Sequence, residues 1–449
     1  MQFRIRGFLT ASFAVLGLLQ ACKKHDLTNN LNPPPASEFS TSAIKDTAAS
    51  YSRDIYLWYN QIPGTFNAQT YPDLNAIMQG IRQYSTEPGF STPVDKWSFA
   101  MKKTEWDNLS SGVSGDFGMN VFFLKEGDLR VTAVERGSPA GIAGIRRGWR
   151  IAKINGSADI NTANANFISN AVWSSNTGSF TFVKPDGSTV DLSLKSAVFQ
   201  EHPVYLDSIY NINTKKVGYF SFNSFLGDTA ELYQEFSRVF NRFASAGIND
   251  LVVDLRYNGG GYVTVQQKLA NWLAPLAANG QLMMKEQFND KYTRYNSTDY
   301  FQKLGSLNLN RIYFIVSHNT ASASELLINN LKPFLDVQLV GPSKTYGKPV
   351  GFFPIPVGEW YIFPVSFRST NKNAQGNYFN GMDVNSQVAD GLDKDWGDIT
   401  ESCLQNVLSN ISTGVYRTSV ARETIQIQSV NNILAAPEFK GAIDVRIKK

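Results

Sequence analysis

Residues 311–353 have the sequence RIYFIVSHNTASASELLINNLKPFLDVQLVGPSKTYGKPVGFF, which predicts a strand, a helix and a second strand. The strands are the apolar runs Ile312 to Val316 and Val337 to Val340. Between them, Ser322 and Glu325 have the spacing of a capping box at a helix N-terminus. Such a crossover is right-handed and brings the ends of both strands to the same edge of one sheet.

Lys348 follows the second strand in a turn that contains glycine, so we expect Ser322 and Lys348 to meet at this edge. A serine needs a base to remove its proton before it can act as a nucleophile. For a lysine to act as that base near neutral pH, its pKa must fall by about 3 from ~10.4, a penalty of about 4 kcal/mol on the charged form. Burial among neighbours such as Tyr346 and Phe352 would lower the pKa in this way.

Each feature also has a simpler interpretation. A serine three residues before a glutamate is most often only a helix cap, and a lysine in a turn is most often only solvated. A histidine base is a further alternative, since His202 and His318 lie outside the leader, with His318 four residues before Ser322. The combination of features favours the serine–lysine interpretation.

A glycine turn follows the apolar run Leu251 to Leu255, which predicts a strand buried on both faces. Glycines allow backbone N–H groups to approach a substrate closely. An N–H of the turn Gly259–Gly261, together with the N–H of Ala323, would hold the oxyanion of a tetrahedral intermediate. A phosphate loop is the competing interpretation, but no Gly-Lys-Ser/Thr follows the turn.

The whole chain has the composition of a globular protein with a large core. It has 449 residues, 43% hydrophobic and 18% charged, which predicts about three domains. Strands and helices alternate over 201–415 and predict an α/β core with a crossover βαβ sheet. The net charge of +4 and the lack of a basic patch argue against a nucleic-acid partner. No cofactor or metal is expected.

The first residues have the pattern of an export signal. Arg4 and Arg6 precede an apolar run, Phe8 to Leu19, that is too short to span a membrane. The ending LLQAC resembles a bacterial lipobox, which implies a signal peptide over 1–21 and a lipid anchor on Cys22 in the bacterial cell envelope. Ordinary cleavage with an incidental Cys22 is the alternative. Cys403 is expected to be buried in a helix, so no disulfide is predicted.

The segments around the core have distinct patterns. Residues 22–40 are polar and rich in Pro and Asn, which predicts a tether. Residues 41–105 have two amphipathic helical patterns, which predict a small helical domain. Residues 416–449 have no clear assignment.

Residues 108–200 contain short strands separated by turn signals. The run GSPAGIAGIRRGWRIAKING, residues 137–156, resembles the signature of PDZ domains in bacterial processing proteases. This resemblance implies that an extended peptide C-terminus binds by strand addition. The carboxylate loop would be Phe117, Gly118, Met119 and Asn120, and the pairing edge would be Val121 to Phe123. The alternative is a β-rich module that only packs against its neighbour.

Three motifs resemble those of the carboxy-terminal-processing (tail-specific) serine proteases, in the same order and behind a PDZ domain. They are DLRYNGGG (254–261), TASASE (320–325) and TYGK (345–348). The resemblance implies that Ser322 is the nucleophile, Lys348 the general base, and Gly260 and Ala323 the oxyanion donors. It also implies cleavage of unstructured or C-terminal segments of exported proteins, in a branch that looks like the lipoproteins of Bacteroides-type bacteria.

The chain departs from this family at two positions. Many relatives have a glutamine that orients the lysine four residues after it, where this chain has Phe352. The related tricorn-type branch has a histidine before the PDZ domain, and the nearest comparable stretch here has Trp97. The alternative function is therefore a PDZ-type peptide-binding scaffold whose peptidase site has decayed. An esterase using the same serine would leave the PDZ domain unexplained.

Overall fold

The computed structural model describes residues 41–417 and 440–444. The predicted signal peptide, the lipidation site Cys22, the tether and most of the segment 416–449 therefore lie outside the described residues. Within the described ranges, no helix is both long enough and apolar enough to cross a membrane.

The α-helices of the described part are numbered in chain order. They are α1 (Thr41–Ile55), α2 (Leu74–Ile81), α3 (Lys103–Ser111), α4 (Pro139–Ile142), α5 (Ala165–Ser169), α6 (Thr229–Ala246), α7 (Val263–Leu273), α8 (Ala323–Leu331) and α9 (Ser402–Thr413).

The strands are numbered in the same way. They are β1 (Phe99–Lys102), β2 (Val113–Ser114), β3 (Met119–Lys125), β4 (Asp128–Val134), β5 (Arg150–Ile154), β6 (Thr177–Val183), β7 (Thr189–Lys195), β8 (Phe199–Gln200), β9 (Val204–Ile212), β10 (Lys215–Phe222), β11 (Asp250–Asp254), β12 (Gly260–Tyr262), β13 (Leu282–Phe288), β14 (Ser297–Tyr300), β15 (Arg311–Ile315), β16 (Asp336–Gly341), β17 (Val350–Gly351), β18 (Ile355–Val357), β19 (Trp360–Phe363), β20 (Phe367–Asn371), β21 (Ser386–Gln387) and β22 (Gly441–Ile443).

A six-stranded sheet with the order β21-β16-β15-β11-β10-β9 forms the centre of the molecule. Its neighbouring strands are parallel except for β9, which is antiparallel to β10. All five residues of β11 are buried, as expected for a central strand of a parallel sheet covered on both faces. The α/β core predicted from the alternating pattern is confirmed.

Helices cover both faces of this sheet. Val252 and Tyr313 face α9, where the predicted burial of Cys403 is confirmed, whereas Val253 and Phe314 belong to the larger core that includes α6, α7 and α8. Residues next to each other along a strand point to opposite faces, so each apolar run contributes to both cores.

The segment 41–105 forms both of its predicted helices, α1 and α2. Their buried residues lie in the same hydrophobic core as the central sheet. In addition, β1 pairs antiparallel with β19 in the sheet β1-β19-β18. The segment therefore forms a layer continuous with the α/β core.

Residues 117–194 have a hydrophobic core of their own. It lies on the five-stranded sheet β3-β4-β5-β6-β7, in which all neighbours are antiparallel. The predicted hairpin around Pro185 is formed by β6 and β7. The strand β3 is at the edge of this sheet, and the assignment to the PDZ family stays a prediction.

Candidate active site

Ser322 lies between β15 and α8, at the N-cap of the helix, with φ +58° and ψ −109°. This backbone conformation is rare for a residue with a side chain and costs about 1–3 kcal/mol, a strain that is typical of functional sites. The residue is fully buried, and its hydroxyl has no hydrogen-bond partner among the described residues. Of the predicted capping box, the bond from the Ser322 N–H to the Glu325 carboxylate is present at 2.8 Å.

Lys348 lies in the loop between β16 and β17, and only 1% of it is exposed. Burial lowers the pKa of its ammonium well below the usual value, although the negative charges of Asp95 and Glu325 oppose this shift. Its Nζ donates a hydrogen bond to the carbonyl oxygen of Lys440 at 2.9 Å.

The predicted direct contact between Ser322 and Lys348 is not made as a hydrogen bond in the described structure. The Lys348 amine is bonded to the Lys440 carbonyl, and the Ser322 hydroxyl is left without a partner. The two residues are instead connected through their backbones.

Glu325 makes that connection, although its sequence position predicted only a capping role. Its Oε2 accepts the N–H groups of Ser322 and Lys348, both at 2.8 Å. Its Oε1 accepts the N–H of Gly347 at 2.7 Å and the hydroxyl of Thr345 at 2.6 Å. Burial raises the pKa of this carboxyl group, while the four hydrogen bonds counteract the rise. One carboxylate thus fixes the serine and the lysine loop relative to each other.

The predicted oxyanion donors are neighbours. Gly260 has φ +108°, and a methyl group built on it would lie 3.0 Å from the amide nitrogen of Ala323. As the first residue of α8, Ala323 has no intrahelical acceptor for its N–H. The N–H of Gly260, in contrast, donates to Asn258 Oδ1 at 3.0 Å. One predicted donor is therefore already engaged within the loop.

Aromatic rings surround the lysine. The Nζ of Lys348 lies 3.6 Å from the ring centroid of Phe352 and 5.9 Å from that of Trp97. Phe352, at the position where many relatives have a glutamine, thus contacts the amine through its ring. Trp97 comes from the layer before the five-stranded sheet, so the stretch 95–98 contributes a ring to the surroundings of Lys348.

Neither histidine in the described residues forms a hydrogen bond with Ser322. His202 is paired with Glu231 at 2.6 Å, and the His318 ring lies 5.1 Å from the ring of Tyr346. The geometry gives no support to a histidine base.

A buried ion cluster, which was not predicted, lies behind the glycine turn. Arg256 bonds Asp254, Asp390 and Glu401 at 2.6–2.7 Å. Arg147, from the five-stranded sheet unit, bonds Asp390 and the hydroxyl of Tyr257, each at 2.8 Å. The residues just before Gly259 are therefore held by charges from several parts of the chain.

The four predicted peptide-binding residues lie at the start of the edge strand β3. Phe117 is fully buried, and Met119 and Asn120 pair with β4. The N–H of Gly118 donates to Asp116 Oδ1 at 2.7 Å, so this donor is engaged by a carboxylate of the chain itself. Nearby, burial raises the pKa of Glu135 to about 7.

Comparisons with known proteins relate this chain to serine proteases. Residues 216–380 match the sequence model described as Peptidase family S41, which confirms the predicted resemblance. Proteins named "Probable CtpA-like serine protease" are 28% identical over 259 residues in Staphylococcus aureus strain COL and 25% identical over 256 residues in Staphylococcus saprophyticus. Each alignment covers 57% of this chain and 49% of the relative, so the chain spans about half the length of these relatives.

A solved structure from Bacteroides fragilis NCTC 9343, named for the S41 protease family, has the same fold. It is 23% identical, the match covers 82% of this chain and 97% of the other, and the TM-score is 0.67. The comparisons give no support to a decayed scaffold.

Proposed function

Because residues 216–380 match peptidase family S41, we propose that the protein is a serine endopeptidase using Ser322 as nucleophile and Lys348 as general base. Its substrates are unstructured or C-terminal segments of exported proteins. It acts in the bacterial cell envelope, attached to a membrane through a lipid on Cys22.

One observation carries the proposal: a single oxygen of Glu325 accepts the N–H groups of both Ser322 and Lys348. The motifs TASASE and TYGK are thereby joined at one atom, which holds the backbones of Ser322 and Lys348 next to each other. The unpartnered Ser322 hydroxyl is available for this contact.

The environment of Lys348 supports its role as a base. Burial lowers the pKa of the ammonium well below its usual value, so a larger share of the amine is neutral near pH 7. A neutral amine has the free electron pair that must take the proton from Ser322.

The reaction follows from these positions. The Ser322 oxygen forms a bond to the scissile carbonyl carbon, and its proton passes to Lys348. The carbonyl electron pair moves onto the oxygen, which the N–H of Ala323 stabilises, joined by that of Gly260 once Asn258 releases it. When the carbon–nitrogen bond breaks, Lys348 returns the proton to the leaving amine. Water then hydrolyses the acyl-enzyme by the same two steps.

Recruitment of the substrate is assigned to the strand β3. Its position at the edge of the five-stranded sheet supports addition of a peptide strand. The loop before it, from Phe117 to Asn120, receives the peptide carboxylate, with Gly118 exchanging Asp116 for the ligand.

The test is capture of a fluorophosphonate on Ser322, located by mass spectrometry. Wild type should be labelled at Ser322, and Lys348→Ala should lose labelling and the hydrolysis of unstructured peptides. Lys332→Ala is the control, because Lys332 is an exposed lysine at the other end of α8 and its loss should leave labelling unchanged. Labelling of Lys348→Ala at the wild-type rate would refute the serine–lysine assignment.

A further inference from the structure

Residues 440–444 return to the active site from near the carboxyl end of the printed sequence. Their strand β22 pairs parallel with β12, with Gly441 opposite Gly260 and Ile443 opposite Tyr262. The predicted oxyanion loop thus forms a strand pair with a distant segment of the same chain.

This segment also bonds the lysine side of the cleft. The N–H of Gly441 donates to the Gly259 carbonyl at 3.0 Å on one side. On the other side, the N–H of Phe352 donates to the Ala442 carbonyl at 3.1 Å, and the N–H of Asp444 donates to the Phe352 carbonyl at 3.2 Å. The segment therefore fills the groove between the glycine turn and the residues that follow Lys348.

Its first peptide unit lies among the catalytic groups. Lys348 Nζ donates to the Lys440 carbonyl at 2.9 Å. A methyl group at Gly260 would collide with the Gly441 carbonyl oxygen and lie 3.0 Å from the Ala323 nitrogen. That carbonyl oxygen and the predicted oxyanion donor thus face the same small space, which is where the carbonyl of a substrate would be needed.

We propose that residues 440–444 occupy the groove in which a substrate peptide binds and that they inhibit the enzyme. This inference rests on the proposed function. The substrate is an extended peptide added parallel to β12, as in peptide recognition by strand addition. The bound segment indicates small residues beside the catalytic groups, here Gly441 and Ala442, followed by an aliphatic side chain buried like that of Ile443.

The contacts explain why the segment inhibits. While Lys348 donates to the Lys440 carbonyl, its amine makes no hydrogen bond with the Ser322 hydroxyl in the described residues. The side chain of Lys440 fastens the segment, since its Nζ donates to Asn319 Oδ1 at 2.9 Å and lies 4.5 Å from the ring centroid of Tyr346. Catalysis requires the segment to leave the groove.

The first experiment removes the hydrogen bond between Lys440 and Asn319 while the rest of the chain is kept. Lys440→Ala and Asn319→Ala each remove the same charge-assisted hydrogen bond, which is equivalent to a roughly tenfold shift toward the open groove. We expect each variant to be labelled by fluorophosphonate at Ser322 about tenfold faster than wild type, and the double variant to show no further gain.

Lys102→Ala is the matched control. Lys102 also has one hydrogen bond, to Glu359 at 3.1 Å, and one ring contact, to Trp360 at 4.6 Å, but it lies on β1. It should be labelled at the wild-type rate. Equal labelling rates for wild type and Lys440→Ala would overturn the proposal.

The second experiment needs no catalysis. In a Ser322→Ala background, the dye-labelled pentapeptide Lys-Gly-Ala-Ile-Asp should bind about tenfold more tightly when Lys440→Ala is added, as measured by fluorescence anisotropy. Equal binding with and without Lys440→Ala, or no binding to either, would overturn the inhibitory role.

The two readouts separate the failures. If Ser322 is never labelled but the anisotropy difference is found, the proposed enzyme activity is refuted and the occupation of the groove by residues 440–444 is supported. If labelling is found but neither readout responds to Lys440→Ala, the proposed activity is supported and the inhibitory role of residues 440–444 is refuted.

Discussion

Replacement of Glu325 by glutamine tests the connection between the two motifs. The carboxylate accepts four hydrogen bonds and is fully buried. In the best orientation the glutamine oxygen keeps the N–H groups of Ser322 and Lys348, while its NH₂ faces the N–H of Gly347. The Thr345 hydroxyl can rotate to accept from the new NH₂. The remaining loss is the hydrogen bond from the Gly347 N–H to the charged carboxylate, which leaves this buried N–H unpaired.

These losses amount to about 2–4 kcal/mol of the free energy of unfolding, at 1.5–3 kcal/mol for a hydrogen bond to a charged group. We expect Glu325→Gln to remain folded at low temperature and to label at Ser322 roughly tenfold more slowly, because the lysine loop is no longer held at Gly347. Glu325→Ala leaves three buried N–H groups without their acceptor and should be far less stable.

Urea unfolding and fluorophosphonate labelling measure the two effects. Glu286→Gln is the control, because Glu286 is as deeply buried as Glu325 but lies on β13, where it pairs with β20. If Glu325→Gln loses no more stability than this control and labels at the wild-type rate, Glu325 does not position the catalytic residues.

Four further changes have defined outcomes. Lys348→Met should abolish labelling and raise the free energy of unfolding near neutral pH, as measured with urea, because a buried ammonium opposes folding. In wild type, the labelling rate should rise with pH through a single ionisation well below 10.5, and a flat pH profile would contradict a lysine base. Stability should rise with pH from that ionisation up to 10.5, because over this interval the folded state binds fewer protons than the unfolded chain. Glu135→Gln should remove a fall in stability between pH 4.5 and 7, worth at most about 3 kcal/mol and measured by urea unfolding at several pH values, because the folded carboxyl keeps a proton that the unfolded chain loses. Arg147→Met should lower the free energy of unfolding, measured with urea, by about 3 kcal/mol and should slow labelling, because Asp390 and Tyr257 lose a buried partner. Unchanged labelling would show that the ion cluster does not support the glycine turn.

The local elements of the core were predictable from the sequence. The predicted strand at 312–316 is observed as Arg311–Ile315, and the helix begins directly after Ser322. These predictions succeed because hydrophobic period and capping residues act within a few positions of each other.

The features that join distant parts of the chain were not predictable. Glu325 had the spacing of a cap, yet three of its four donors come from the loop at 345–348. The pairing of Gly441 with Gly260 depends on backbone groups, which no residue type reveals. The sheet that β13 and β14 form with β20 likewise joins residues 282–300 to residues 367–371.

The side-chain contact between Ser322 and Lys348 was the expectation that the structure altered most. The order of the elements in the sequence predicted that the two loops lie at one edge of the sheet. In the structure, Lys348 donates its hydrogen bond to the carbonyl of Lys440. A buried amine needs a hydrogen-bond partner, and here the partner is supplied by a segment to which the sequence analysis assigned no role.

The layer formed by residues 41–105 has a consequence for the evolution of the protein. It contributes Trp97 to the surroundings of Lys348, and the charge of Asp95 favours the protonated lysine. Mutations far upstream can therefore tune the proton affinity of the base while the three motifs stay unchanged. Recombination that exchanged this layer between relatives would place other groups beside Lys348 and would pair a different strand with Trp360–Phe363.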